Sequence, residues 1–67
     1  MEIIMPIINV NMMEGRTVEQ KEALIKAVAE AVMDSIGAPE ENIRVIISEY
    51  PKAHWGIGTL PAHKAGR

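Results

Sequence analysis

The spacing of hydrophobic residues changes along this chain, and each change predicts a different element. Residues 7–13 are rich in branched side chains and partly alternate with asparagine, which is typical of a β-strand. Across residues 18–36 apolar side chains recur every three or four positions, the period of an amphipathic α-helix. Residues 43–49 indicate a second strand, whose apolar middle predicts burial on both faces. Residues 55–58 contain two glycines and predict a tight hairpin element.

The predicted helix carries signals at both ends. Thr17, followed three residues later by Gln20, matches a capping box. Gly37 stands where helices end in a left-handed conformation, and Pro39 prevents continuation. We therefore expect a helix over residues 18–36, about 28 Å long at roughly 1.5 Å per residue. Its apolar side is predicted to consist of Leu24, Val28, Ala31 or Val32, and Ile36.

A strand, a long helix and a second strand form a βαβ unit with parallel strands and a right-handed crossover. The predicted fold class is therefore α/β (α+β), a βαβ unit followed by a C-terminal hairpin. One helix covers one face of such a sheet, whereas parallel sheets are normally covered on both. A chain of 67 residues buries about 60% of its unfolded surface, and without cysteine it has no disulfides to compensate. We therefore expect an obligate oligomer in which other subunits complete the sheet.

Composition excludes several classes of protein. Apolar residues make up 48% and charged residues 24%, which is typical of a globular domain. No apolar run approaches the ~20 residues of a transmembrane helix, and the start lacks the features of a signal peptide, so we expect a cytoplasmic protein without a membrane partner. The net charge of −2 argues against nucleic acid as a partner. With no cysteine and two histidines at unrelated positions, we expect no metal site.

Few side chains could carry chemistry, and the sequence has no catalytic triad, phosphate-binding loop or dinucleotide motif. Arg16 lies in a turn before the helix, and Arg44 lies near the start of the second strand. Trp55 stands between a loop and a glycine, where packing or an interface is the ordinary role. His54 and His63 fall in loop and tail, where solvated histidines are common. Taken singly, none of these residues identifies a function.

Several short segments acquire meaning in combination. They are Met5-Pro6-Ile7-Ile8, Glu14-Gly15-Arg16-Thr17-Val18-Glu19-Gln20-Lys21, Ala38-Pro39, Arg44-Val45-Ile46-Ile47 and Trp55-Gly56-Ile57-Gly58. In this order and at this spacing, the segments resemble the 4-oxalocrotonate tautomerase family. Each segment is common by itself, so the resemblance depends on the whole set.

The resemblance implies two parallel strands, one helix and a terminal hairpin, assembled as dimers into a homohexamer. It implies an isomerase without a cofactor that converts a 2-hydroxydienoate, such as 2-hydroxymuconate, in aromatic hydrocarbon catabolism. Carried over by position, Pro6 would be an N-terminal general base, and Arg16 and Arg44 would bind the carboxylate and oxo-carboxylate ends of the substrate. Trp55 falls where the family has an aromatic pocket wall. Met13 would line the site through its backbone and side chain.

These residue types suit a proton transfer. A proline amine is a base near neutrality only when its pKa is lowered, and nearby guanidinium groups and an apolar wall both disfavour the charged ammonium. The same arginines can pair with a small dicarboxylate or oxo-acid and stabilise charge on a dienolate oxygen. One base that takes and returns a proton needs neither a metal nor an organic cofactor.

The length of the first strand predicts a site shared between subunits. Pro6 begins that strand and Arg16 follows its end, so ~25 Å separate them at roughly 3.3 Å per residue. An antiparallel neighbour paired along this strand would bring its own Arg16 beside Pro6. Arg44 begins a strand parallel to the first and should lie near Pro6, but the sequence leaves open which subunit's site it serves.

The chain departs from the family pattern ahead of Pro6. We assign residues 1–5 to a leader, residues 6–58 to the tautomerase-like domain and residues 59–67 to a tail. With the leader present, the Pro6 nitrogen is a tertiary amide and has no lone pair for base chemistry. Met5 could be the start in the cell, the leader could be removed by processing, or it could be retained in a member that has lost this chemistry. A smaller departure is Thr59, where the family commonly has glycine.

Two other functions stay open. The scaffold also supports hydrolytic dehalogenation of a haloacrylate, in which the proline would act as an acid. The extra carboxylate that activates water in those relatives has no clear counterpart here. A chain that retains an acylated Pro6 would instead be a ligand-binding or assembly module without catalysis.

Overall fold

The protein forms the predicted βαβ unit. Its structure, a computed structural model, describes residues 5–67, so the first four residues of the predicted leader lie outside the described residues. β1 spans Ile7–Met13, α1 spans Val18–Ile36 and β2 spans Arg44–Tyr50. β1 and β2 pair in parallel, and a short antiparallel hairpin follows. This arrangement confirms the predicted fold class.

Both ends of α1 are stabilised by the residues that predicted them. The Thr17 hydroxyl accepts a hydrogen bond from the Gln20 backbone N–H (3.1 Å), and the Gln20 side-chain oxygen accepts one from the Thr17 N–H (3.0 Å). These bonds satisfy N–H groups that the first turn leaves without helical partners. Gly37 adopts a φ of 69°, where a side chain would be strained, and its N–H donates to the Met33 carbonyl.

The hairpin is longer than the sequence predicted. β3 (Gly56–Ile57) and β4 (Leu60–Pro61) pair around a turn in which Gly58 has a left-handed φ of 63°. The prediction ended the hairpin at Gly58 and placed the second strand of this pair in a tail, which was wrong for β4. A strand of two residues, one of them a proline without an N–H, has no alternation that a sequence pattern can reveal.

Smaller differences surround β2 and the hairpin. β2 begins one residue later than predicted, because the Ile43 N–H closes a 3-10 helix over Glu40–Asn42, and it also ends one residue later, at Tyr50. The loop predicted before Trp55 contains a second 3-10 helix, Lys52–His54. After the hairpin, Ala62 is fully buried, and its N–H donates to the Trp55 carbonyl at 2.7 Å. The chain therefore folds back onto the base of its own hairpin.

α1 covers one face of the β1–β2 sheet. Half-buried side chains alternate along both strands and meet half-buried apolar residues of the helix. On the strands these are Ile8, Val10, Met12, Val45 and Ile47, and on α1 they are Leu24, Val28, Ala29, Val32 and Met33. Lys21 Nζ and Glu49 Oε1 form an ion pair of 2.9 Å between the helix and β2. Within residues 5–67, no helix combines the length and apolarity that crossing a membrane requires.

The inward side of α1 differs from the prediction at its C-terminal end. The sequence left open whether Ala31 or Val32 faces the sheet. Val32 is half-buried and Ala31 is exposed. Ile36 was expected to face the sheet, but its side chain is 54% exposed. The helical period is right, and the error arises because the last turn of α1 extends past the half-buried side chains of the sheet.

The second face of the sheet has no cover within the described part of the protomer. Ile46 lies on this face and is 48% exposed. Polar side chains pair across it: Ser48 Oγ donates to Asn9 Oδ1 at 3.1 Å, and Tyr50 Oη donates to Asn11 Oδ1 at 2.9 Å. Burial of β2 on both faces therefore stays a prediction that requires other subunits, because the one long helix of the chain lies on the opposite side.

The protomer lacks the core of a stable domain. Among the described residues, the buried hydrophobic side chains are Ala38 and Ala62, whereas Ile7 is 69% exposed. The radius of gyration is 15.4 Å, compared with about 11 Å for a compact chain of this length. Apolar surface left open to this extent supports the predicted obligate oligomer.

We expect the protein to sediment as a multimer several times 7.4 kDa. Ile46→Asp should shift the distribution towards smaller species, because a carboxylate on the open sheet face would lose its water when another subunit covers it. Analytical ultracentrifugation at micromolar protein concentration measures both distributions.

The matched control is Ala23→Glu, at an exposed position on the outer side of α1, which should leave sedimentation unchanged. A wild-type chain that is a folded, stable monomer at this concentration would contradict the expectation of an obligate oligomer.

Candidate functional site

Two of the predicted site residues meet at the N-terminal end of β1. The Arg44 backbone N–H donates to the Pro6 carbonyl at 3.1 Å, so the second strand begins directly beside Pro6. The Arg44 side chain folds towards the preceding 3-10 helix, where Nη1 donates to the carbonyls of Glu41 (2.8 Å) and Ile43 (3.2 Å). A guanidinium has five N–H donors, so Arg44 held in this way keeps others for a ligand.

A second group of predicted residues lies at the C-terminal end of β1. Met13 ends the strand and is half-buried, and Arg16 follows in the turn before α1. Gly15 makes this turn with a φ of 124°, a conformation that residues with a side chain rarely adopt. A cleft of about 350 Å³ opens here, lined by Met12, Met13, Glu14, Gly15, Arg16 and Lys52.

Trp55 belongs to the same end of the sheet. Tyr50, the last residue of β2, lies opposite Met13 in the strand pair. The ring centroids of Tyr50 and Trp55 are 6.1 Å apart at an interplanar angle of 52°, within the range of favourable aromatic pairs. Since the Tyr50 hydroxyl is also bonded to Asn11, a chain of contacts fixes Trp55 near the end of β1.

The protomer therefore divides the predicted site residues into two groups. The proline-side group is Pro6 and Arg44, and the cleft-side group is Met13, Arg16 and Trp55. The seven residues of β1 separate the groups by about 23 Å at roughly 3.3 Å per residue. β1 therefore has the length on which the expected separation rests, and one protomer does not bring both groups to one small molecule.

Sequence reasoning missed two contributors to the cleft side. Lys52 was placed in a loop, yet it lines the cleft together with Arg16. Tyr50 was not among the predicted site residues, although parallel pairing of the two strands places it opposite Met13. His54 and His63 are both exposed. In the described part of the chain, no group of three or more histidine, aspartate or glutamate side chains could hold a metal ion.

Comparison with known proteins decides the family. A family model described as "Tautomerase enzyme" matches residues 6–64. The chain belongs to the tautomerase family. It is an isomerase, and its βαβ unit with a C-terminal hairpin is the fold of its tautomerase neighbours.

Individual tautomerases match over almost their whole length. The 2-hydroxymuconate tautomerase of Pseudomonas sp. (strain CF600) is 54% identical over 63 residues, which are 94% of this chain and 100% of that protein. A 4-oxalocrotonate tautomerase isozyme from Methylibium petroleiphilum is 48% identical with a TM-score of 0.88, covering 92% of this chain and 100% of the other. A heterohexamer 4-oxalocrotonate tautomerase from Chloroflexus aurantiacus is 33% identical with a TM-score of 0.82, covering 87% and 94%.

Proposed function

We propose that this tautomerase converts a 2-hydroxydienoate such as 2-hydroxymuconate into its keto form, and that its active unit is a homo-oligomer, a hexamer by resemblance. The observation that carries this proposal is the division of the site residues between the two ends of β1. From this division it follows, in the proposal, that activity requires more than one subunit. Relatives named 2-hydroxymuconate tautomerase support the substrate class.

In this proposal the amine of Pro6 is the general base. It takes the proton of the enol O–H as the C=O bond forms, and it returns a proton to a carbon of the dienolate, so the enzyme is unchanged at the end. Arg16 binds the carboxylate end of the substrate and Arg44 the oxo-carboxylate end, where positive charge also stabilises the dienolate oxygen. The same charges lower the pKa of the Pro6 amine, because they disfavour its ammonium form. Met13 and Trp55 supply the apolar wall.

The open edge of β1 supports a pairing that completes the site. Within the described residues the ladder partner of β1 is β2 alone, which leaves the other edge of β1 free to accept a strand. A second copy can pair antiparallel along that edge about a twofold axis through Val10, the midpoint of the strand. In that register Pro6 lies opposite Glu14 of the partner subunit, two residues from Arg16 of the partner subunit.

Exposed residues of α1 support the same twofold axis. Val18, Ile25 and Ile36 are 62%, 40% and 54% exposed, and at 3.6 residues per turn they lie along one line of the helix. The midpoint of α1 is residue 27, so in an antiparallel helix pair Val18 meets Ile36 of the partner subunit. Apolar side chains on both helices would then be covered together.

The Lys21–Glu49 ion pair indicates that the midpoint of α1 lies close to the midpoint of β1. Glu49 lies opposite Met12 in the strand pair, so residue 21 of α1 lies over position 12 of β1. Six further helical residues advance about 9 Å, and two to three strand residues in the opposite direction cover a similar distance. Residue 27 is therefore close to Val10, and one axis can serve both contacts.

A different outcome follows if residues 1–5 are retained. Pro6 then stays acylated, and the arginines and Trp55 would form an anion-binding module without a base. We propose instead that Met5 is the start in the cell and that the catalytic domain begins at Pro6 and continues past the expected end at residue 58 to include β4. By resemblance we also assign the enzyme to the cytoplasm and to aromatic hydrocarbon catabolism.

We expect Arg16→Ala and Arg44→Ala each to lower kcat/KM for 2-hydroxymuconate by about 10- to 150-fold. The reason is the loss of a charge-assisted pair worth roughly 1.5–3 kcal/mol in the transition state. Steady-state kinetics on chains that begin at Pro6 measure the effect.

The controls are His54→Ala and His63→Ala, which remove exposed side chains and should change turnover little. If a histidine variant abolishes turnover while the arginine variants keep it, the assignment of the arginines is wrong.

We expect a chain that retains residues 1–5 to have little or no tautomerase activity, even when it assembles normally. A chain started at Met5 should be active, because methionine ahead of proline is normally removed and the Pro6 amine is then exposed. Both chains are assayed on 2-hydroxymuconate, with each N-terminus verified by intact mass and each assembly by sedimentation. Full activity in the chain with an acylated Pro6 would rule out Pro6 as the base.

A further inference from the structure

Lys52 is the second cation of the cleft that contains Arg16. It begins the 3-10 helix Lys52–His54 directly after Pro51, whose φ is −60°. The His54 N–H donates to the Pro51 carbonyl at 2.8 Å, and the Trp55 N–H donates to the Lys52 carbonyl at 3.2 Å. These bonds fix the backbone of Lys52 between the end of β2 and Trp55. Lys52 lines the cleft from this position.

The charges of the cleft do not cancel. Arg16 and Lys52 contribute two positive charges to its lining, against one carboxylate from Glu14. Elsewhere on the same side, Lys21 is neutralised by its ion pair with Glu49, whereas Lys52 has no carboxylate within ion-pair distance among residues 5–67. A cleft with surplus positive charge attracts anions, and the effect decreases with ionic strength.

We propose that Lys52 is a specificity-determining residue that binds, together with Arg16, the substrate carboxylate farther from the oxo end. This inference rests on the proposed function, in which Arg16 holds that carboxylate. Arg16 supplies a planar pair of donors, and Lys52 adds a compact point charge to the lining of the same cleft. Lys52 therefore favours dicarboxylates over monocarboxylates, since only the dicarboxylate places a second carboxylate in the cleft with the two cations.

The first test compares substrates on Lys52→Gln in a chain that begins at Pro6. We expect the KM for 2-hydroxymuconate to rise about two- to fivefold, the effect of an exposed charge pair, with kcat nearly unchanged. The KM for 2-hydroxypenta-2,4-dienoate, which has one carboxylate, should not change. Lys52→Arg should restore most of the dicarboxylate preference, and Lys26→Gln on the outer side of α1 is the matched control.

A second measurement separates this inference from the proposed function. Binding of unreactive adipate and hexanoate is followed by the fluorescence of Trp55, the one tryptophan of the chain. If the wild-type protein converts no 2-hydroxydienoate yet prefers adipate, and Lys52→Gln loses that preference, the proposed reaction fails and the role of Lys52 stands. If Lys52→Gln keeps the wild-type preference for dicarboxylates, or if the wild-type protein has none, Lys52 does not have this role.

Discussion

The uncovered second face of the β1–β2 sheet is the constraint on which the rest of this molecule depends. A βαβ unit has one helix to place, and α1 covers the side of the sheet that carries Val10 and Ile47. Ile46 and the Asn–Ser and Asn–Tyr pairs on the other side stay open, and the described chain buries no large apolar side chain completely. Further copies of the chain would cover all of these surfaces. In the account proposed above, assembly is a condition of folding before it is a condition of activity.

The same constraint shapes the site. β1 is seven residues long. Because of this length, Pro6 and Arg16 lie at opposite ends of the sheet. The proline-side group has the proposed base but lacks the cleft, and the cleft-side group lies at the cleft, with Arg16 and the neighbouring Lys52 as cations, but lacks that base. Antiparallel pairing about Val10 would solve both problems at once, because it covers the open edge of β1 and brings the two groups together. A small chain can in this way build a polar, charged site without the core that would support it alone.

Local signals made part of this structure predictable. The bounds of α1 follow from Thr17, Gln20 and Gly37, whose effects act within a few residues of the chain. The parallel pairing follows from the length of the crossover, and with it the position of Arg44 beside Pro6. The family resemblance added the candidate site residues, which periodicity alone does not supply.

The features that the sequence did not predict are set by tertiary structure or leave no pattern in the sequence. β4 is two residues long and contains Pro61, so it leaves no pattern. Ile36 follows the helical spacing of the residues that face the sheet, but its side chain is exposed because the last turn of α1 extends past the sheet. Lys52 was predicted only to lie in a loop, because its place in the cleft depends on how the 3-10 helix turns between β2 and Trp55.

A mixing experiment tests most directly whether the site is shared between subunits. Two chains that begin after Met5 are prepared, one with Pro6→Ala and the other with Arg16→Ala, and they are assayed separately and after joint unfolding and reassembly. Random pairing gives mixed dimers half of the time, each with one intact site, so the account predicts activity from about a quarter of the wild-type sites. That activity should exceed the mean of the two separate variants at equal protein concentration. If the mixture assembles, as sedimentation would show, and its activity equals that mean, Pro6 and Arg16 act within one subunit and the shared site is contradicted.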